Sequence, residues 1–162
     1  MCWLAQHNLD EAKSLLEQAK KINSDQPYLW STYGYYEYQR GELTGAIRDY
    51  RLELATFPER YGAYGDMAGA QLVLGQRKEA KETLQQWLAA NPGDPTPTIR
   101  LVSIMLDDGD PAGAVAAAET GLAKLPEDKK KNEWLQLTLG RAQIAAGIPY
   151  SRSCSPPRIP AL

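Results

Sequence analysis

The sequence predicts an all-α protein built from stacked antiparallel helical hairpins, and three observations carry that prediction. The 162 residues contain 21 Ala and 20 Leu against 3 Val and 7 Ile, a helical bias because β-branched side chains lose χ1 freedom in a helix. Glycines recur at Gly41, Gly75 and Gly109, alanines at Ala12, Ala46, Ala80 and Ala114, and prolines at Pro58, Pro92 and Pro126, each series with a spacing of 34 residues. Between these markers the apolar residues fall at helical spacing. A single hairpin cannot bury its own apolar face, so repeats of this length must stack on their neighbours.

The elements follow in order. In the copy beginning at Pro27, residues Trp30, Tyr33, Gly34 and Tyr36 share one helix face. Gly41 supplies a left-handed stop. Leu43, Ala46, Ile47, Tyr50 and Leu54 then form the inner face of a second helix, which Pro58 ends. Small residues at Gly34 and Ala46 let the two helices approach. Asp94–Pro95 and Asp110–Pro111 place an acceptor at the N-cap and proline at the first helical position. Thr96 precedes Pro97, so that helix is expected to begin a turn late.

The repeat of 27–60, PYLWSTYGYYEYQRGELTGAIRDYRLELATFPER, with Trp30, Gly34, Gly41, Ala46, Tyr50 and Pro58 at the signature phases, resembles the tetratricopeptide repeat. Residues 61–94 follow with Tyr64, Ala68, Gly75, Ala80 and Pro92, and residues 95–128 keep Gly109, Ala114 and Pro126 but hold Thr98 at the aromatic phase. The resemblance implies a right-handed α-solenoid over residues 1–147: a partial repeat at 1–26, full repeats at 27–60, 61–94 and 95–128, and a terminal capping helix at 133–147. Residues 148–162, rich in Ser, Pro and Arg, read as a disordered tail. Met1–Gln6 project onto the end of a missing first helix, with Cys2, Trp3 and Leu4 at an uncovered edge. In the capping helix Trp134, Leu135, Leu137, Leu139 and Ile144 spread around the cylinder, so some apolar surface is expected to stay exposed. Both ends predict a fragment of a longer array; the alternative is a short three-hairpin protein with a linker tail.

The family resemblance further implies a concave groove lined by first helices that binds a protein or peptide. Tyr28, Thr32, Tyr35, Tyr38 and Gln39 would face it from one copy, Gly62, Gly65, Asp66, Gly69 and Leu72 from the next, and Ile99, Arg100, Ser103 and Asp107 from the third. The expected peptide-binding residues are Tyr28, Thr32, Tyr35, Tyr38, Asp66, Arg100 and Asp107. Gly62, Gly65 and Gly69 share a helix face, each at a cost of about 1 kcal/mol relative to alanine. Either the neighbouring tyrosines frame a slot over that exposed backbone, or their rings fill the trough and close it. The chaperone-tail clamp of Lys, Asn and Arg is not matched: Ser31, Tyr35 and Asp66 stand at its phases, and only Arg100 agrees.

Other chemistries find little material. One histidine and two cysteines cannot build a zinc site of the common tetrahedral kinds. His7 with Cys2 lacks a third orienting group and reads as a turn residue beside a thiol. Asp107, Asp108 and Asp110 straddle a helix end without the distal glutamate of a calcium loop. Lys129–Lys131 is flanked by Glu127, Asp128 and Glu133, and a net charge of −2 gives no nucleic-acid footprint. No apolar run reaches the ~18–20 residues of a membrane span. The expectation is therefore no enzyme, no cofactor and no metal, with a protein or peptide partner; the compartment is cytoplasmic by default, or extracytoplasmic if a natural leader is missing. The YLWSTYGYYEYQRGELTGAIRDY stretch is also similar to arrays at the C-terminal end of some bacterial transglutaminase-like proteins, which implies an accessory array of a larger enzyme, though no Cys–His–Asp set matches. A third expectation is self-association through the ends, burying Trp3 and Trp134.

Overall fold

A computed structural model describes residues 9–130 and 132–147. The expectations for Met1–Gln6, His7 with Cys2, Lys131 and the tail 148–162 lie outside the described residues. Those described form eight α-helices: α1 (Leu9–Ile22), α2 (Leu29–Gln39), α3 (Leu43–Thr56), α4 (Tyr61–Val73), α5 (Arg77–Ala90), α6 (Thr96–Asp107), α7 (Pro111–Lys124) and α8 (Glu133–Ala145). No strand occurs among them, and the fold is an all-α helical repeat of the solenoid class. The chain divides into two compact units, Met1–Pro97 and Thr98–Leu162.

The 34-residue period has one local cause, repeated three times. Gly41, Gly75 and Gly109 sit at φ of +77°, +75° and +76°. At each, the glycine N–H bonds a carbonyl three residues back and the next N–H bonds one five residues back. The pairs are Gly41 to Tyr38 and Glu42 to Glu37, Gly75 to Leu72 and Gln76 to Gln71, and Gly109 to Leu106 and Asp110 to Met105, at 2.8–3.0 Å. These are Schellman turns, which satisfy the last carbonyls of one helix while reversing the chain into the next. After the third, Asp110 caps α7 by accepting from the Gly113 N–H at 2.9 Å, with Pro111 in the first turn. The start of α6 departs from expectation. It begins at Thr96, directly after Pro95, and the Asp94 carboxylate accepts from the Thr96 N–H at 2.9 Å. Pro97 costs nothing there, since the first-turn N–H it lacks has no intrahelical partner.

In the first unit, apolar clusters lie between successive helices. Ala12 and Leu16 of α1 pack with Leu29, Tyr33 and Tyr36 of α2; Ala46, Ile47 and Tyr50 of α3 pack with Ala63, Met67 and Ala70 of α4. Gly34 marks a close crossing, where a Cβ would stand 2.8 Å from Cε1 of the buried Tyr50 ring. In the second unit, Val102 of α6, Ala114, Val115 and Ala118 of α7, and Ala142 of α8 share a cluster. Thr98, at the phase where Trp30 and Tyr64 stand in the earlier copies, is buried against Gly121, whose missing Cβ makes the room it occupies. A smaller residue on one helix is thus matched by a smaller one on its partner.

Candidate functional site

The α2 and α4 surfaces of the first unit touch one another and carry most of the groove residues expected from sequence. Tyr28 is 57% exposed and Tyr35 37%. Tyr28 is the N-cap of α2 in the left-handed region, at φ 70°, a conformation that costs a non-glycine residue about 1 kcal/mol or more. Its ring lies under the Arg60 guanidinium, 4.0 Å from centroid to Cζ, and its hydroxyl is hydrogen-bonded to the same group. The Thr32 hydroxyl donates to the Tyr28 carbonyl at 2.7 Å. Tyr38 is half-buried and leans on the Ala46–Tyr50 cluster.

On α4, Asp66 is exposed, Gly62 exposed and Gly69 half-buried. A Cβ added at Gly62 or Gly69 would meet nothing within 4 Å. The tyrosine rings therefore do not fill the trough at those two positions; the backbone is open beside the aromatic face. Gly65, between them, is buried.

The second unit presents its own surface. Arg100, Ser103 and Asp107 of α6 are exposed and Ile99 is half-buried. On α8, Trp134, Leu137 and Ile144 are exposed while Leu135 is buried and Leu139 packs on the core cluster. Allowing for the four-residue insertion, Trp134, Leu137, Arg141 and Ile144 stand at the phases of Tyr28, Ser31, Tyr35 and Tyr38. Projecting the period one copy further would have added them to the candidate surface.

The tyrosine face rests on a group that sequence reading overlooked. Glu53 of α3 is completely buried. Its Oε1 accepts from the Tyr28 N–H at 2.7 Å, and its Oε2 from Trp30 and Ser31 N–H at 3.1 and 3.2 Å. A carboxylate from one helix thus caps the preceding one, satisfying three orphan donors at the positive end of its dipole. The signal was a charged residue at the phase of Trp87 and Gly121, both buried.

A second polar group ties α2 to α3. Arg48 reaches Glu37 Oε1 at 3.2 Å and Asp49 Oδ1 at 2.7 Å, so one guanidinium edge serves two carboxylates. Glu37 Oε2 and Asp49 Oδ2 are buried with no hydrogen-bond partner among the described residues, and Gly45 makes room for Glu37, whose carboxylate a Cβ there would strike. Burial, reinforced by Asp49 and opposed by Arg48, raises the Glu37 carboxyl above its usual range. Burial, with Glu17 adding to it, likewise pushes the Tyr33 phenol up to about 12. Because the folded chain holds the Glu37 proton more tightly than the unfolded one, this contribution to stability is complete below pH about 4.5 and is lost as pH rises through the folded value. Glu37→Gln keeps the acceptor for Arg48 and removes the buried charge. Its stability curve, from urea melts between pH 4 and 8, should lose that downward slope and lie above wild type at pH 7; a parallel or lower curve would refute this account.

Among the described residues no group of three or more His, Cys, Asp or Glu is placed to hold a metal, and no helix is long and apolar enough to cross a membrane.

Repeated helical hairpins with glycine turns and an exposed first-helix face define the class: an all-α repeat protein. The family model for the tetratricopeptide repeat matches residues 37–97. No curated protein matches the sequence. Solved structures share the fold at low identity. MamA superposes with a TM-score of 0.67 at 16% identity, covering 90% of this chain and 83% of its own. A thermophilic tetratricopeptide-repeat protein of Thermus thermophilus gives 0.59 at 20%, covering 89% and 77%. The Yersinia enterocolitica type III secretion chaperone SycD, in complex with a peptide of the translocator YopD, gives 0.56 at 13%, covering 72% and 92%.

Proposed function

We propose that the chain is a non-catalytic interaction scaffold whose first unit holds a peptide segment of a protein partner against α2 and α4. The observation that carries this reading is the open backbone at Gly62 and Gly69 beside the exposed rings of Tyr28 and Tyr35. Tyrosine supplies large contact area at low entropic cost, and bare helix backbone admits close approach. Glu53 and Arg60 fix Tyr28 before a ligand arrives, so little ordering entropy opposes binding. Tyr28, Tyr35 and Asp66 are the principal contacts; Thr32 and Tyr38 support the face, one through its bond to the Tyr28 carbonyl and the other by packing beneath it. Arg100 and Asp107, exposed on α6 of the second unit, are its contribution to partner contact. The similar fold of SycD, which holds a translocator peptide, supports the reading.

Peptides selected from a displayed library on the wild-type chain provide the test. Tyr35→Ala should weaken them at least ~10-fold, as a truncated hot spot does. Gly69→Trp should do the same by filling the trough, since a Cβ there meets nothing within 4 Å. Unchanged affinity in both variants, with wild-type melting curves, would refute the site.

A further inference from the structure

Helix α8 carries an apolar stripe that its own unit leaves in solvent. Trp134 is 72% exposed, Leu137 61% and Ile144 76%. Arg141, also exposed, makes no ion pair among the described residues. At 100° per residue these four side chains fall within an arc of about 80°. Trp134 and Arg141 lie on one edge of the stripe, seven residues apart, and Leu137 lies between them along the axis.

That order is self-complementary. When two copies of a helix pack antiparallel about a twofold axis, height along the axis reverses while each lateral edge meets its own counterpart. With the axis at Leu137, Leu137 meets its equivalent, and Trp134 of each copy meets Arg141 of the other. The interface then holds two cation–π contacts from one helix and leaves no guanidinium stranded among apolar groups. On the opposite edge Gly140 has nothing within 4 Å of an added Cβ, so the second backbone can come close. The same chemistry occurs within the chain, where Arg60 lies over Tyr28 and Arg40 over Tyr36. An apolar ligand helix would strand Arg141; a second copy of α8 supplies the ring it needs.

The geometry points to α8 as a homodimerisation surface, formed by antiparallel pairing with a second copy of this chain through Leu137 and reciprocal Trp134–Arg141 contacts. One 13-residue helix face lies at the small end of interface sizes, below ~1,200 Å² in total, so the dimer is a weak one. It is independent of the peptide-binding surface, which lies on α2 and α4.

Sedimentation velocity of the full chain from ~10 to ~500 µM (a range suited to interfaces of this size) should show a concentration-dependent dimer. Trp134→Arg, which sets arginine against arginine, should abolish it, whereas Leu52→Ala at an exposed site on α3 should not. The double exchange Trp134→Arg with Arg141→Trp restores a cation facing a ring and should recover the dimer, which a nonspecific apolar contact would not do. A strict monomer in wild type would overturn the proposal, as would a dimer that survives Trp134→Arg, a double exchange that stays monomeric, or a monomer that engages a selected peptide through α8. Failure of peptide binding at Tyr35 leaves this result untouched, so the two readings fail separately.

Discussion

Glu53→Ala should destabilise the first unit by ~3–5 kcal/mol, the effect expected when three backbone donors lose one shared buried acceptor. Three backbone N–H groups at the start of α2 would lose their acceptor together, and each buried donor left unpaired costs about 1–3 kcal/mol, less whatever water recovers. The missing side chain also leaves a cavity between α2 and α3. Glu53→Gln should cost less, because one oxygen still accepts, while its amide points donors at donors. Denaturant unfolding gives the size of the effect. Hydrogen exchange gives its place: protection should fall first in α2 and α3, because stability in a repeat protein is a sum of neighbour terms. A loss below ~1 kcal/mol for Glu53→Ala would show that water caps the helix equally well.

A second large effect is expected where Gly34 meets Tyr50. Tyr50→Ala removes one of the largest fully buried side chains and should cost ~3–5 kcal/mol, at the upper part of the large-to-small range. The site cannot collapse well, since the facing residue has no side chain to lean in. Gly34→Ala alone should also destabilise, because its Cβ would stand 2.8–2.9 Å from the ring atoms of Tyr50, and overpacking outweighs the helix propensity gained. In the Tyr50→Ala background the same substitution should reverse sign. The clash is then gone, the methyl fills part of the void, and alanine recovers about 1 kcal/mol of propensity. A double-mutant cycle measures this directly. Additivity would mean that the two residues do not press on each other.

The turns and inner faces were legible because each rests on a short-range rule. A glycine at the end of an apolar helical run has few alternatives to a left-handed stop, and Gly41, Gly75 and Gly109 all take it. Ala46, Ile47 and Tyr50 face inward because helical spacing leaves no other side for them. The supporting polar groups were not legible, because their roles depend on contacts between helices. Read locally, Glu53 is an ordinary solvated helix glutamate; only the position of α2 beside it turns it into a cap. Glu37 and Asp49 look like surface charges until Gly45 removes the bulk that would keep Glu37 out. The start of α6 was misplaced because the rule for a residue before proline weighs backbone sterics alone. Asp94 holds the Thr96 N–H and tips the balance toward an earlier start. On the α2–α4 face proposed to bind a peptide, the sequence indicated the tyrosines but could not decide whether they closed over the glycines. That depended on ring orientation, which Arg60 sets for Tyr28.

The contacts at Trp30 with Glu53 and at Thr98 with Gly121 have a bearing on how such a chain can change. In both pairs residues 23 positions apart meet: the Glu53 carboxylate takes the Trp30 backbone N–H, and the Thr98 side chain fills the space that Gly121 leaves. The two helices of a hairpin are therefore no longer independent letters. Recombination that moves a hairpin whole carries both halves of the fit, whereas recombination breaking at a glycine turn would separate Glu53 from the helix start it caps or set Gly121 against a tryptophan. The quantity inherited intact is the hairpin, although the period written in the sequence is just as visible in either helix alone.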